Sequence, residues 1–326
     1  MPDDVAIKVE RAEQLVRELA SAVDVLVADV PTTLIPVRSD PPVLLDGGMV
    51  LWGVRAHVPD VDVRTVRAIV GDAINNLRSA LEYLARGLVL SNGGTPIDGR
   101  RGATQFPISS SRPVVVHGGV DAGALALIQS VQPGRDGLDS GHPLAVLHAL
   151  SNEDKHRAPT VVAAGTGLSC VFVAHATSDQ GPYGMLSPLV RWLRDGEWAV
   201  MPSLPFPEHA EVKIDTTVTT TITREGSGPV MPSIVDEVDY LLRWVRDELI
   251  PKFRPYFTEP WNEDVFSPAP VTDPMIAARA NAIDVDRIMR DTEALHDAFP
   301  VGADGQPHLV VLSLAEYVNL DPRLVS

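Results

Sequence analysis

Val66-Arg67-Ala68-Ile69-Val70-Gly71-Asp72-Ala73-Ile74-Asn75-Asn76-Leu77-Arg78-Ser79-Ala80-Leu81-Glu82-Tyr83-Leu84 is the stretch on which the fold turns. Its apolar residues Val66, Val70, Ala73, Leu77, Ala80 and Leu84 recur at alternating spacings of four and three, which puts them on one face of an α-helix as a heptad seam. The pattern predicts a helix from about Val61 to Leu90, stopped by Asn92-Gly93-Gly94. Beside the seam runs a polar stripe, Asp72, Asn76, Ser79 and Tyr83, with Asn75, Arg78 and Glu82 on its flank. Asparagine competes for backbone hydrogen bonds and is a poor choice for mere solvation in mid-helix, so this face is expected to be buried and occupied.

A helix with such a seam needs a partner, and the N-terminal stretch supplies one. Val5, Val9, Ala12, Val16, Leu19, Val23, Leu26 and Val30 repeat in the same way up to Pro31. Between the two helices, Leu34 to Val37, Val43 to Leu45 and Met49 to Val58 read as extended, with Asp46-Gly47-Gly48 as a hairpin turn. Short helices are expected over Asp121 to Gln129 and Pro143 to His156. Strands are expected over Thr160 to Ala164, Leu168 to Ala174 and Glu211 to Thr223, with a hairpin about Asp195-Gly196. A further helix starts at the N-cap Ser233, carries Ile234, Val238, Leu241, Val245 and Leu249 on one face, and is expected to stop at Pro251.

Five prolines fall between Pro255 and Pro274, which reads as a linker. Beyond it a helix from Asp273 to about Phe299, a strand at His308 to Leu312 and a short helix capped by Ser313 are expected. Residues 258–326 hold 12 acidic and four basic side chains, half of the net excess of the chain, and read as an acidic appendage. The expected organisation is a helical bundle over 1–257 with an antiparallel sheet inserted at about 160–223, then linker and appendage over 258–326. The expected fold class is α+β.

Composition removes several classes of function. A chain of 326 residues buries about 75% of its unfolded surface and needs no disulfide or structural metal to fold. No apolar run approaches the ~20 residues of a membrane span, and the start lacks the basic and apolar regions of a secretory signal. The single cysteine, Cys170, excludes an internal disulfide and a cysteine-based zinc site, and points to the cytoplasm. A net charge of −16 opposes counterion-release binding to nucleic acid. Of 27 basic residues only Lys8, Lys155, Lys213 and Lys252 are lysine, a bias that suggests a GC-rich bacterial genome. There is no phosphate-binding loop, dinucleotide fingerprint, His-Glu-X-X-His or Gly-X-Ser-X-Gly motif, and no cofactor is expected.

The remaining polar density lies on the Val66–Leu84 helix and in Gly141 to Arg157, where His148, Asn152 and His156 recur every four residues on one helix face. Three readings fit. The histidines could ligate a metal with Asp72 or Glu82. The two helices could instead share a hydrogen-bonded seam, in which Arg78 meets Asp154 or Glu82 while Asn76 and Asn152 satisfy helix ends. Or the same place could be a binding or catalytic cleft, lined by Asp72, Asn76, Arg78, His148, Asn152, Asp154, His156 and Arg157.

Gly71-Asp72-Ala73-Ile74-Asn75-Asn76-Leu77-Arg78-Ser79-Ala80-Leu81-Glu82, Thr104-Gln105-Phe106-Pro107-Ile108, Ile128-Gln129-Ser130-Val131-Gln132-Pro133 and Leu150-Ser151-Asn152-Glu153-Asp154-Lys155-His156-Arg157 together resemble the signature blocks of a widespread group of uncharacterised bacterial proteins. The resemblance covers roughly residues 66 to 160 and implies a shared architecture and shared polar residues, with no reaction attached. Many members carry histidine where this chain has Tyr83, which gives the Arg-X-X-X-X-His spacing of the HEPN helical-bundle ribonucleases. With Tyr83 there, the general base would have to come from elsewhere, such as His156. The expected function is a cytoplasmic binding or interaction protein for a small molecule or protein, with a polar cleft between the helices carrying Asn76/Arg78 and Asn152/His156. The rival is a HEPN-like hydrolase acting on RNA or nucleotides at the same cleft.

Overall fold

Helix α2 (Arg64–Ser91) forms where the heptad seam predicts it, and Val66, Val70, Ala73, Leu77, Ala80 and Leu84 are its buried face. It ends at Asn92, whose N–H reaches the Leu88 carbonyl, and Gly93 follows at φ 74°, a conformation that favours glycine. Helix α1 (Pro2–Val27) buries Val5, Val9, Ala12, Val16, Leu19 and Val23, while Asp3 and Asp4 sit favourably at the positive end of its dipole. The computed structural model describes residues 2–28, 31–40, 42, 44–45, 48–99, 103–109, 114–133, 142–156, 161–166, 170–178, 181–189, 192–208, 211–215, 219–224, 233–261, 264–266 and 309–311.

Contacts divide the chain into two units, each drawn from three stretches. The first holds residues 1–24, 62–161 and 233–274. Besides α1 and α2 it contains α3 (Ala122–Ser130), capped by the Asp121 carboxylate on the Gly123 and Ala124 N–H groups, and α4 (Pro143–His156). It also contains α5 (Ile234–Arg243), whose Ser233 hydroxyl accepts from the Asp236 N–H. The helical path does not stop at Pro251. A π-helical turn, Trp244–Leu249, follows α5, and a 3₁₀ helix, Ile250–Tyr256, follows that. Pro251 falls in the first turn of the 3₁₀ segment, the helical position at which proline is best tolerated. This continuation brings Phe253 into the core, edge-on to the Phe106 ring.

The second unit, residues 25–61, 162–232 and 275–326, holds most of the strands. β1 (Thr33–Arg38) pairs antiparallel with β3 (Met49–His57), Thr33 opposite His57 and Arg38 opposite Trp52. β2 (Leu44–Leu45) and β8 (Trp198–Pro207) also pair antiparallel with β3, the latter with irregular register about Val54. The Arg55 guanidinium lies over the Trp198 ring, 4.1 Å from its centre, on neighbouring strands. β4 (Val161–Thr166) pairs with β7 (Trp192–Leu193) and β10 (Thr219–Arg224). β5 (Cys170–Ser178) lies between β6 (Gly181–Leu189) and β9 (Glu211–Asp215), antiparallel to both.

The fold is therefore α+β, as expected. Three details differ from the sequence reading. The single strand expected over 211–223 is two strands in different sheets, β9 and β10. β6, rich in glycine and proline, was not anticipated, although its register with β5 is unbroken. Asp195-Gly196 turns the chain from β7 to β8, which pair with different partners. There the Asp195 carboxylate accepts from the Val58 N–H at 3.0 Å.

The unit boundaries also differ from the expected partition at 257/258. β11 (Leu309–Val311), from the stretch read as an appendage, pairs in parallel with β6, Leu309 opposite Gly184. The helices expected at 273–299 and after Ser313 lie outside the described residues. Among the described residues no helix is long and apolar enough to cross a membrane.

Candidate functional site

One helical turn separates Arg78 from Glu82 on α2, so their side chains meet as an ion pair. Both also grip the backbone of Phe106. The Arg78 Nη2 donates to the Phe106 carbonyl at 2.8 Å, and the Phe106 N–H donates to Glu82 Oε2 at 2.9 Å. The pair thus satisfies both main-chain groups of one loop residue, as a neighbouring strand would. The Phe106 ring is fully buried and stands edge-on to Phe253, 6.2 Å between centres and 87° between planes.

Two further side chains hold this loop. Thr104, only 3% exposed, accepts from the Ile97 N–H at 2.8 Å and donates its hydroxyl proton to the His117 carbonyl at 2.6 Å. Gln132 accepts from the Ser109 N–H and donates to the Ile128 carbonyl, both at 2.9 Å. The blocks 71–82, 104–108 and 128–133, separate in sequence, are thereby tied together around Phe106.

Against this loop lies a pocket of about 340 Å³ lined by Arg78, Ala103, Gln105, Phe106, Pro107, Ile108, Val115, His117 and His148. The Arg78 side chain is 17% exposed. Its Nη1 is buried with no acceptor among the described residues. Burial pushes the guanidinium below its ordinary pKa, and the carboxylate of Glu82 opposes that shift.

Of the residues expected in the cleft, Arg78 and His148 line this pocket. Asn152 is exposed and adjoins it, its amide 3.0 Å from His148 Nε2. With the amide as donor, that ring nitrogen is the acceptor. Asp72 is exposed, and neither it nor Asn76 lines the pocket. Asn76 was expected to close a helix end, which the structure corrects. Its amide donates at 2.8 Å to the Asp72 carbonyl one turn back, and its oxygen faces Lys8 Nζ of α1 at 3.5 Å. Asp154 and His156 belong to the last turn of α4; their side chains, and Arg157, are outside the described residues.

Of the two acids expected opposite Arg78, the partner found is Glu82. Gln105, Phe106, Ile108, Val115 and His117 were not named as site residues, because loop residues carry no periodicity. The first three left a trace in the Thr-Gln-Phe-Pro-Ile block, and Val115 and His117 left none. Among the described residues no group of three or more His, Cys, Asp or Glu side chains could hold a metal. No family model matches the chain, and no curated protein or solved structure is significantly similar to it.

Proposed function

We propose that this chain is a cytoplasmic binding protein whose ligand occupies the pocket beside Arg78 and His148. One observation carries the reading: side chains from α2 and α4, some 70 positions apart, converge with the 103–108 loop on one cavity of about 340 Å³. That volume is at the lower end of the roughly 300–1,000 Å³ typical of small-molecule sites. The lining presents more polar than apolar surface, so a ligand here would be held mainly by polar contacts with less apolar burial than most small-molecule sites offer. The single cysteine supports a reducing compartment. Kinship with the bacterial group whose blocks it resembles is part of the same proposal, supported by the 71–82 block holding Phe106 and the 128–133 block holding Ser109 of the same loop.

The test is a panel of small metabolites screened by thermal shift against the wild type and Val115→Trp, which fills the rim from a position 56% exposed. A ligand of this pocket at 100 times its Kd stabilises the native state by about 2.7 kcal/mol. It should do so in the wild type and fail in the filled variant. Equal stabilisation of both would place the ligand elsewhere.

A hydrolase acting on RNA or nucleotides remains the second reading, favoured by an arginine and a histidine lining one pocket. It requires cleavage of labelled RNA by the purified protein and loss of that cleavage in His148→Ala or His156→Ala.

A further inference from the structure

We infer that the pocket takes a small oxyanion, a carboxylate or a phosphate group, with Arg78 as its anchor; this rests on the pocket reading above and names the ligand class. In a chain with 43 acidic residues and a net charge of −16, the described residues that line the pocket include no carboxylate. It includes one guanidinium, two imidazoles and the Gln105 amide.

Glu82, the acid nearest Arg78, is turned away from this role. Its Oε1 is taken by Arg78 and its Oε2 by the Phe106 N–H, so both oxygens are spent on the loop. The same contacts fix the guanidinium in place: Nη2 is committed to Phe106 and Glu82, while Nη1 is buried with no acceptor among the described residues.

A buried charged donor without an acceptor is costly, and an ionised acceptor repays most per bond. The part of the Arg78 side chain that remains exposed presents a cation to the pocket in surroundings where charge pairs are screened less than in water. The Phe106 clamp already holds the guanidinium, so that charge is in place before an anion arrives. A neutral carbonyl could accept a hydrogen bond there, but it would not exploit a lining free of acids among the described residues.

Arg78 also supports the loop, so replacing it would test folding and binding together. The rim residue Val115, 56% exposed, separates them. Val115→Glu adds a carboxylate to the pocket mouth, and Val115→Gln adds the same bulk without charge. Inorganic phosphate, acetate and neutral acetamide are titrated by calorimetry at constant ionic strength up to roughly 50 mM, a range that captures weak millimolar binding. The expected result is saturable binding of phosphate or acetate, weakened about tenfold or more by Val115→Glu, little changed by Val115→Gln, and weakened in the His117→Gln/His148→Gln double variant. Whichever anion binds more tightly identifies the group.

Acetamide binding that Val115→Glu leaves unchanged, with neither anion bound, would overturn the oxyanion and leave the pocket reading standing. Anion binding equal in all variants would put the ion elsewhere and overturn the inference. So would the failure of both anions to saturate. The metabolite panel with Val115→Trp tests the pocket independently of this outcome.

Discussion

Removing the Arg78 side chain would strip the Phe106 carbonyl of its donor and take from the half-buried Glu82 the cation one turn away. Losing a hydrogen bond to a charged group costs about 1.5–3 kcal/mol, and an ion broken from a buried pair costs more. At 17% and 27% side-chain exposure the pair is shielded but not sealed, so Arg78→Ala is expected to cost about 2–4 kcal/mol. At about 2–4 °C per kcal/mol that is a fall of roughly 4–16 °C in Tm. The Arg78→Ala/Glu82→Ala double variant should be less damaged than the sum of the singles, because it strands no charge. Single and double variants that melt like the wild type would remove the clamp from the account. A second prediction concerns Gly94, where an added Cβ would lie 2.3 Å from the Gly118 carbonyl oxygen. Backbone cannot yield as a side-chain tip does, so Gly94→Ala should cost about 1–3 kcal/mol by overpacking, read as a lower urea midpoint. At this scale the sequence was legible only where spacing is short. Arg78 and Glu82 lie one turn apart, so spacing offers Glu82 as a partner beside the alternative Asp154; Phe106, 24 and 28 positions away, has no spacing rule that could name it.

Helix α4, which carries His148, begins on a titratable cap. The Leu144 N–H donates to His142 Nδ1 at 3.2 Å, and the ring packs edge-on to Trp244 with 5.8 Å between centres. Burial holds the His142 imidazole below its ordinary pKa of 6.5. Accepting a hydrogen bond at Nδ1 also requires that nitrogen unprotonated. The unfolded chain then takes up a proton at a pH where the folded chain resists it. Stability from this site is therefore complete above pH 6.5 and is lost as pH falls toward the depressed folded value. His142→Asn keeps a capping acceptor and removes the titration. Melts between about pH 7 and pH 5 should show a smaller acid-side fall in Tm for this variant than for the wild type, in the range where histidine titrates. Parallel curves would exclude His142 as the source. Trp244 reaches the ring from the π-helical turn that sequence periodicity did not reveal: a π turn shifts register by one residue, and Ile234, Val238 and Leu241 had already set a plain α-helical pattern. The strands erred for a related reason. Gly181, Pro182, Gly184 and Pro188 hide β6 from any propensity rule, yet pairing with β5 along its length makes the strand.

Across the whole molecule, each unit is closed from three separate stretches, so no single composition change in the chain coincides with a boundary. The α+β class was legible because helical and strand periods are independent signals that each survive without long-range information. The partition was not, because prolines and acids mark where a chain is stiff or charged, and packing decides where it is held. Pro255 to Pro274 illustrates the difference. Phe257 stands edge-on to Trp261 at 5.2 Å, Trp261 to Phe266 at 5.2 Å, and Phe266 is 6% exposed. Pro255 and Pro260 restrict the backbone that leads into an aromatic cluster within the first unit, in a stretch whose composition reads as a linker. A chain ending at Pro260 would lose Trp261 and Phe266 from that cluster, and one ending at Pro274 would retain them. Losing large buried aromatics typically costs about 3–5 kcal/mol, hence roughly 6–20 °C in Tm. The chain ending at Pro274 should keep the wild-type helical melt, because what it lacks among the described residues is β11 at the side of β6 in the other unit. Circular dichroism melts of the two chains beside the full protein decide the matter. If both shortened chains melt alike and near the wild type, the aromatic stack holds nothing together and the break belongs at residue 258, where the composition changes.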